Sequence, residues 1–414
     1  MLDFIEKSPT CFHAVANIGA MLEEAGYVRL RENEEWKLVK GGKYYTERND
    51  SSVIAFAIPT ETVKGFHMAA AHSDSPCFKV KEKPELTVEN HYMCLNTEKY
   101  GGMILSTWLD RPLSVAGRLA VRGTDGIQSR LVNIDRDLCV IPNVAIHMNR
   151  EANSGVSYNP QKDMLPLFSM GGSDVSLQKL LSTQLDVEEK DILSHDLFLY
   201  NRMEGSIWGA ENEFASSARL DDLQCAFASL KGFLGAQKQD CIAVHCVLDN
   251  EEVGSGTKQG AASTFLKDTL LRINSGLGRT YEEYLMTLAD SFMISADNAH
   301  ALHPNYTDKA DPVNHPLLNK GIVIKYNANQ KYCTDAVSAA VFKDLCDRAG
   351  VPWQTFVNRS DIPGGSTLGN ISNTQVPMNT VDIGLPQLSM HSPYETAGVR
   401  DTEYFVKAAK EFFA

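Results

Sequence analysis

Residues 241–257 read CIAVHCVLDNEEVGSGT, an apolar run that leads into Asp249, Glu251, Glu252 and a glycine-containing turn. The run has the length and composition of a buried strand. Crowding three carboxylates at the rim of a core is unfavourable, because like charges in close contact raise one another's pKa. A compensating cation is therefore expected close by.

Around this stretch, strand and helix patterns alternate. DDLQCAFASLKGFLGA (221–236) has helical spacing, SFMISAD (291–297) reads as a strand, and TDAVSAAVFKDLCDRAG (334–350) reads as a helix. VPWQTFVN (351–358) and VPMNTVDIG (376–384) are strand-like, and DTEYFVKAAKEFF (401–413) closes the chain as a helix. Near the N-terminus, CFHAVANIGAMLEEAGY (11–27) is helical, GKYYTERNDSSVIAFAIP (42–59) forms two strands about a turn, and GFHMAAAHSDSP (65–76) is a strand ending at His72. Such alternation predicts an α/β fold, a mostly parallel central sheet flanked by helices.

From about residue 84 the pattern changes. LTVENHYMCLN, GGMILSTWL, VAGRLAVRG and SRLVNI read as short strands without helices between them, and 149–176 reads as a long loop. The expected organisation is a discontinuous α/β domain, 1–83 and 216–414, with an inserted mainly β domain at 84–215. A chain of 414 residues also exceeds what one compact core usually holds.

The balance of 39 basic against 52 acidic residues, a formal net charge of −13, argues against nucleic acid or an anionic membrane surface as partner. The nine cysteines are scattered without a CxxC, which suits reduced thiols better than a disulfide or zinc-ribbon framework. The acidic MLDFIEKSPT start lacks signal-peptide character, and no apolar run approaches the roughly 20 residues that span a bilayer. A cytoplasmic location is expected.

Ligand sites in open α/β sheets gather at the carboxyl ends of strands. Here those ends carry His72, Glu251–Glu252, Asp297 and His391, with Asp221 and Asp222 leading into a helix. Histidine and carboxylate together suit a catalytic zinc. Taken singly, each has a plainer reading. Either histidine could be an ordinary partly buried residue, Asp221 and Asp297 could cap or turn the chain, and the glutamate pair could favour a helix dipole.

In order along the chain, SPTCFHAV, AAAHSDSP, GGMILSTWLDRPL, VAIHMNRE, ARLDDL, DNEEVGS, SADNAHALHPNY, NKGIVIKYNANQKYCTD and QLSMHSPYE resemble the aspartyl aminopeptidase family of dinuclear zinc exopeptidases. The resemblance covers nearly the whole chain. It implies two Zn²⁺ per subunit, with Co²⁺ and Mn²⁺ as alternatives. Asp221 would bridge them, His72 and Asp297 would complete one site, and Glu252 and His391 the other. Glu251 would be the general base for a water activated between the ions, and Asp74 would orient His72. His147 would reach the active site of a neighbouring subunit, so that the insert mediates dimers and the dimers build a tetrahedral dodecamer. Gly364 and Gly365 would line the substrate, Lys325 would meet an acidic side chain, and Tyr394 would lie close to the S1 pocket. Cys11, Asp222 and the Pro393–Tyr394 pair depart from the family's usual pattern.

The expected activity is removal of an N-terminal residue, Asp or Glu, from peptides. A metal-dependent deacylase on the same scaffold and a non-catalytic assembly or peptide-binding protein are the alternatives. The absence of a GxSxG elbow disfavours a serine hydrolase.

Overall fold

The computed structural model describes residues 1–61, 63–172, 175–236 and 240–414. The chain folds into two compact units. One comprises Met1–Asp74, Gly205–Met390 and Glu395–Ala414; the other comprises Ser75–Glu204 with His391–Tyr394.

The first unit is built on a nine-stranded sheet. At its centre Ile242–Leu248, Phe66–His72, Phe292–Ala296 and Asn379–Gly384 run parallel, in that spatial order. Ser52–Ala57 flanks them antiparallel on one side, and Ile322–Tyr326 does so on the other. The sheet is thus mixed at its flanks and parallel at its centre, as the α/β pattern predicts.

Side-chain alternation along these strands feeds two cores. Ala69, Ala71, Ala243 and Val247 face a core shared with helices Cys11–Glu24, Leu220–Gly235 and Asp401–Phe413. Phe66, Met68, Ala70, Val244 and Cys246 face a second core with helices Phe265–Gly276 and Tyr281–Ala289. Both faces are covered, which is why the strands read as continuous apolar runs rather than alternating ones. Those last two helices lie in a stretch where the sequence pattern assigns no element.

Local chemistry fixes the helix ends. Asp335 and Ser338 form a reciprocal capping box at the start of Ala336–Ala349, and Gly350 ends that helix in the left-handed conformation. Helix Leu220–Gly235 lies close against Asp401–Phe413. A Cβ on Gly232 would overlap Ala409, so glycine is what permits the approach.

The second unit carries a six-stranded sheet that includes Cys77–Val88, Tyr92–Tyr100, Leu113–Gly123, Gly126–Asn133 and Ile192–Asn201. Its described strand pairings are antiparallel. Three sequence expectations need correction. GGMILSTWL holds a 3₁₀ turn, Leu105–Trp108, rather than a strand, because Trp108 turns inward onto Phe78. Helix Leu177–Leu185 interrupts the β pattern, N-capped by Ser176, with Leu177 and Leu181 buried. The expected loop 149–176 contains strand Leu167–Met170, paired to Tyr92–Tyr100; Ser173 and Asp174 of that expectation lie outside the described residues.

Gly232→Val should force the two helices apart and lower stability by about 1–3 kcal/mol, as overpacking in a dense core does. Denaturant unfolding followed by far-UV circular dichroism checks this; an unchanged midpoint would refute the close-approach account.

Candidate metal centre

Three adjacent parallel strands deliver the site. Phe66–His72 ends at His72, Ile242–Leu248 runs into Asp249–Glu252, and Phe292–Ala296 is followed by Asp297. Leu248 pairs in register with His72, so the two carboxyl ends finish level.

Asp74 ties these ends together. Its Oδ1 accepts the Glu251 N–H at 3.1 Å and its Oδ2 accepts the Glu252 N–H at 3.2 Å. Its carbonyl faces His72 Nδ1 at 3.1 Å. A carbonyl can only accept, so Nδ1 carries the hydrogen and Nε2 is the nitrogen turned to the acids. Nε2 lies 3.3 Å from Asp221 Oδ1 and 3.8 Å from Asp297 Oδ1. Donor atoms of His72, Asp221, Asp222 and Asp297 all fall within 4.8 Å of one another, as do those of His72, Glu251 and Glu252.

Asp221 and Asp222 interrupt the start of their helix with non-helical backbone angles, and the peptide bond between them is cis. The Asp221 N–H donates to Glu395 Oε2 at 3.0 Å. The His72 N–H donates to Asp222 Oδ2 at 3.1 Å. Behind Asp297, the Asn298 amide donates to Gln224 and Gln387 and accepts from Cys225 Sγ at 3.0 Å, a buried network that fixes this corner. Asp249, in contrast, serves the turn: its N–H donates to Ser52 Oγ and its Oδ1 accepts from the Asn250 N–H.

The electrostatics show a concentration of buried negative charge. Burial pushes Glu251 up to about 8, with Asp297 and Asp74 adding to it against the pull of His72. Burial, then Asp221, holds Glu252 well above the usual carboxylate range, and burial does the same for Asp222. Asp249 is pushed up to about 7 by burial and by Asp74. Burial opposes charge on His72, but Asp221, Asp222, Asp297 and Asp74 together outweigh it and raise its pKa well above the usual imidazole value. Burial also opposes charge on Asp297, yet the neighbouring Lys325 ammonium holds that carboxyl below the usual range.

This donor set fits a divalent cation. An Nε2 tautomer turned towards two carboxylate oxygens is repulsive unless a proton or a metal lies among them, and the carboxylates gather in excess of the Lys325 charge. Histidine with oxygen ligands matches zinc.

The remaining candidates are placed as follows. Lys325 is 3% exposed, far from the plain surface lysine its sequence context allows, and its Nζ lies 3.3 Å from Asp297 Oδ2. Gly365 borders a cavity of about 500 Å³ walled by His300, His303, Phe356 and Arg359. A Cβ on Gly364 would crowd Asn358 and Asn327, whereas one on Gly365 meets nothing within 4 Å. His391, His147 and Tyr394 belong to the second unit. There His391, at φ 68°, has its Nδ1 bound to the Gly102 carbonyl at 2.6 Å, so its Nε2 is the ligand-capable nitrogen. The Tyr394 hydroxyl donates to the Glu204 carbonyl at 2.9 Å. His147 is exposed and sits in an irregular segment between the exposed residues Ile146 and Met148. Sequence reasoning missed Glu395 as the support of Asp221 and gave Asp222 no role. The nearest signal for Glu395 was its place at the end of SMHSPYE.

The Aminopeptidase I zinc metalloprotease (M18) family profile matches residues 4–413. A relative from Clostridium novyi, described as a probable M18 family aminopeptidase 2, is 48% identical over 421 residues, spanning 100% of this chain and 97% of that one. A Pseudomonas putida relative described in the same words is 41% identical over 421 residues, with the same shares covered. Among solved structures, Chaetomium thermophilum mApe1 superposes with a TM-score of 0.89 at 31% identity, covering 100% of this chain and 96% of that one. The Saccharomyces cerevisiae mApe1 dodecamer gives 0.88 at 27%, covering 100% and 95%.

Stripping metal with a chelator should expose the carboxylate repulsion. Glu251 and Asp249 have folded pKa values above their unfolded ones, so the folded metal-free protein binds more protons and loses stability as pH rises from about 4 through 8. Thermal melts of the chelated protein should therefore fall across that window, and restored zinc should stabilise most at its upper end. A chelated protein as stable at pH 8 as at pH 5 would contradict the charge account.

Proposed function

Since the chain belongs to the M18 family of zinc aminopeptidases, we propose that it removes N-terminal residues, with preference for Asp and Glu, from peptides, using two zinc ions per subunit. The observation that carries this reading is the convergence of His72, Asp221, Asp297, Glu251 and Glu252 on one buried cluster organised by Asp74. His72 and Asp297 are assigned to one ion, Glu252 and His391 to the other, and Asp221 to both. Metal bound there supplies Lewis acidity, polarising the scissile carbonyl and lowering the pKa of water.

The protein's own residues divide the remaining work. Glu251 takes the proton from the attacking water and returns it to the departing amine, and the bond from its N–H to Asp74 fixes where its carboxylate starts from. Asp74 does not meet the substrate. It fixes the backbone of both glutamates and the tautomer of His72, as the outer partners of metal ligands commonly do. Lys325 is assigned to the acidic side chain of the substrate, since an ammonium carries three donors and the ion pair with Asp297 needs one. Gly364, Gly365 and Tyr394 are assigned to the substrate's path.

Self-association through the second unit, with dimers assembling into a dodecamer, accompanies this activity in our reading. It is supported by the dodecameric mApe1 relative and by the exposed Val144, Ile146 and Met148 around His147, apolar side chains that a neighbouring subunit would cover. His147 is assigned to the neighbour's active site. No disulfide links the described cysteines, which suits a reducing cytoplasm, and no helix among the described residues is long and apolar enough to cross a membrane.

Zinc-loaded protein should cleave Asp- and Glu-initiated peptides faster than Leu, Lys or Ala ones and should reject N-acetylated substrates. Preference for acetylated substrates would favour the deacylase instead. Glu251→Gln should lower kcat by about 10²–10⁴ while zinc content is retained. His147→Ala should lose activity with assembly intact by light scattering; full activity in that variant would remove the residue from the site.

A further inference from the structure

Long cationic side chains near the ends of strands usually run their stems to the surface and leave the charge in water. Lys325 does the opposite. It stands on strand Ile322–Tyr326 and reaches across the neighbouring strand Asn379–Gly384 to Asp297, which follows the next strand beyond. The crossing is possible because position 384 is glycine. A Cβ there would overlap the Asp297 carbonyl and stand 2.9 Å from Lys325 Cε. Beyond the stem, the ammonium has the Tyr332 ring 5.5 Å away and Asp297 Oδ2 at 3.3 Å. The other Asp297 oxygen, Oδ1, is the one on the His72 Nε2 side, at 3.8 Å.

We propose that Lys325 is a positioning residue for the metal centre, whose ammonium occupies Asp297 Oδ2 so that Asp297 presents only Oδ1 to the ion. This rests on the reading of Asp297 as a ligand. A carboxylate can bind a metal through one oxygen or two, and a cation fixed on one oxygen selects the other. The same cation draws charge away from the ligand and repels the ion, so the site keeps an open position and a more acidic metal at some cost in affinity. A lysine kept solely for a substrate side chain would have no need of a path beneath Gly384 to this oxygen.

Two measurements test it. The first is a crystal structure of the zinc-loaded wild-type protein. It should show Asp297 Oδ1 on the ion and Oδ2 still paired with Lys325. Asp297 bound through both oxygens, or Lys325 turned away from it, overturns the proposal while leaving the metalloenzyme reading in place. Zinc bound elsewhere, with none on Asp297, overturns both the proposal and the assignment of Asp297.

The second compares Co²⁺-loaded wild type with Lys325→Met, a change of similar length that removes the charge. The variant's visible d–d absorption should weaken as Asp297 contributes a second oxygen and the coordination number rises. Its Co²⁺ affinity in competition with a chelator should increase by roughly tenfold or more, because a unit charge that close opposes the ion by more than a factor of ten. An unchanged spectrum and affinity, with only the preference for Asp and Glu peptides lost, would make Lys325 a substrate selector alone and refute the positioning role. Should the variant not fold, the wild-type crystal structure still decides the matter.

Discussion

The clamp formed by Asp74 is the constraint on which the rest of the centre depends. One carboxylate receives both amides of the Glu251–Glu252 turn, and the same residue's carbonyl takes the imidazole hydrogen of His72. A single two-residue extension of one strand therefore sets the backbone of the neighbouring acidic turn and the tautomer of His72. Hydrogen bonds to a charged acceptor are about twice as strong as neutral ones, and in a buried setting their loss leaves amides without partners. Removing the Asp74 carboxylate would thus disturb the backbone of Glu251 and Glu252 together.

Around that clamp, the fold supplies convergence and the burial supplies electrostatic tension. Three parallel strands finishing level bring His72, Glu251–Glu252 and Asp297 to one edge, and the interrupted helix start adds Asp221 and Asp222. A buried cluster of this kind is weakly stable on its own, since each carboxylate raises the pKa of the next. Lys325 relieves part of the tension at Asp297, and a divalent cation relieves the rest. The apolar walls that make the site costly to charge also make an ion's field effective within it.

Much of this was legible in the sequence. The 241–257 stretch predicts a buried strand with carboxylates at its end, and the alternation around it predicts a sheet covered on both faces. The motif order identifies the family. What could not be read is which acids support and which ligate. Asp249, Asp222 and Glu395 have the same local chemistry as their neighbours, and their separate tasks follow from hydrogen bonds to residues up to 197 positions away. Leu177–Leu185 was missed because a short amphipathic helix among strands leaves a weak period, and GGMILSTWL misled because its apolar residues serve a turn that buries Trp108.

By itself the sequence determined the class of fold, the family and the set of metal-capable side chains, because hydrophobic periodicity and ordered motifs are local properties of a chain. Only the tertiary structure decided the direction in which each donor faces. The Nδ1 hydrogen of His72 is assigned by a carbonyl, the Glu251 backbone is held by Asp74, and the Lys325 stem passes where Gly384 has no side chain. Those choices depend on strands far apart in sequence lying some 5 Å apart in space, a distance that no local pattern encodes.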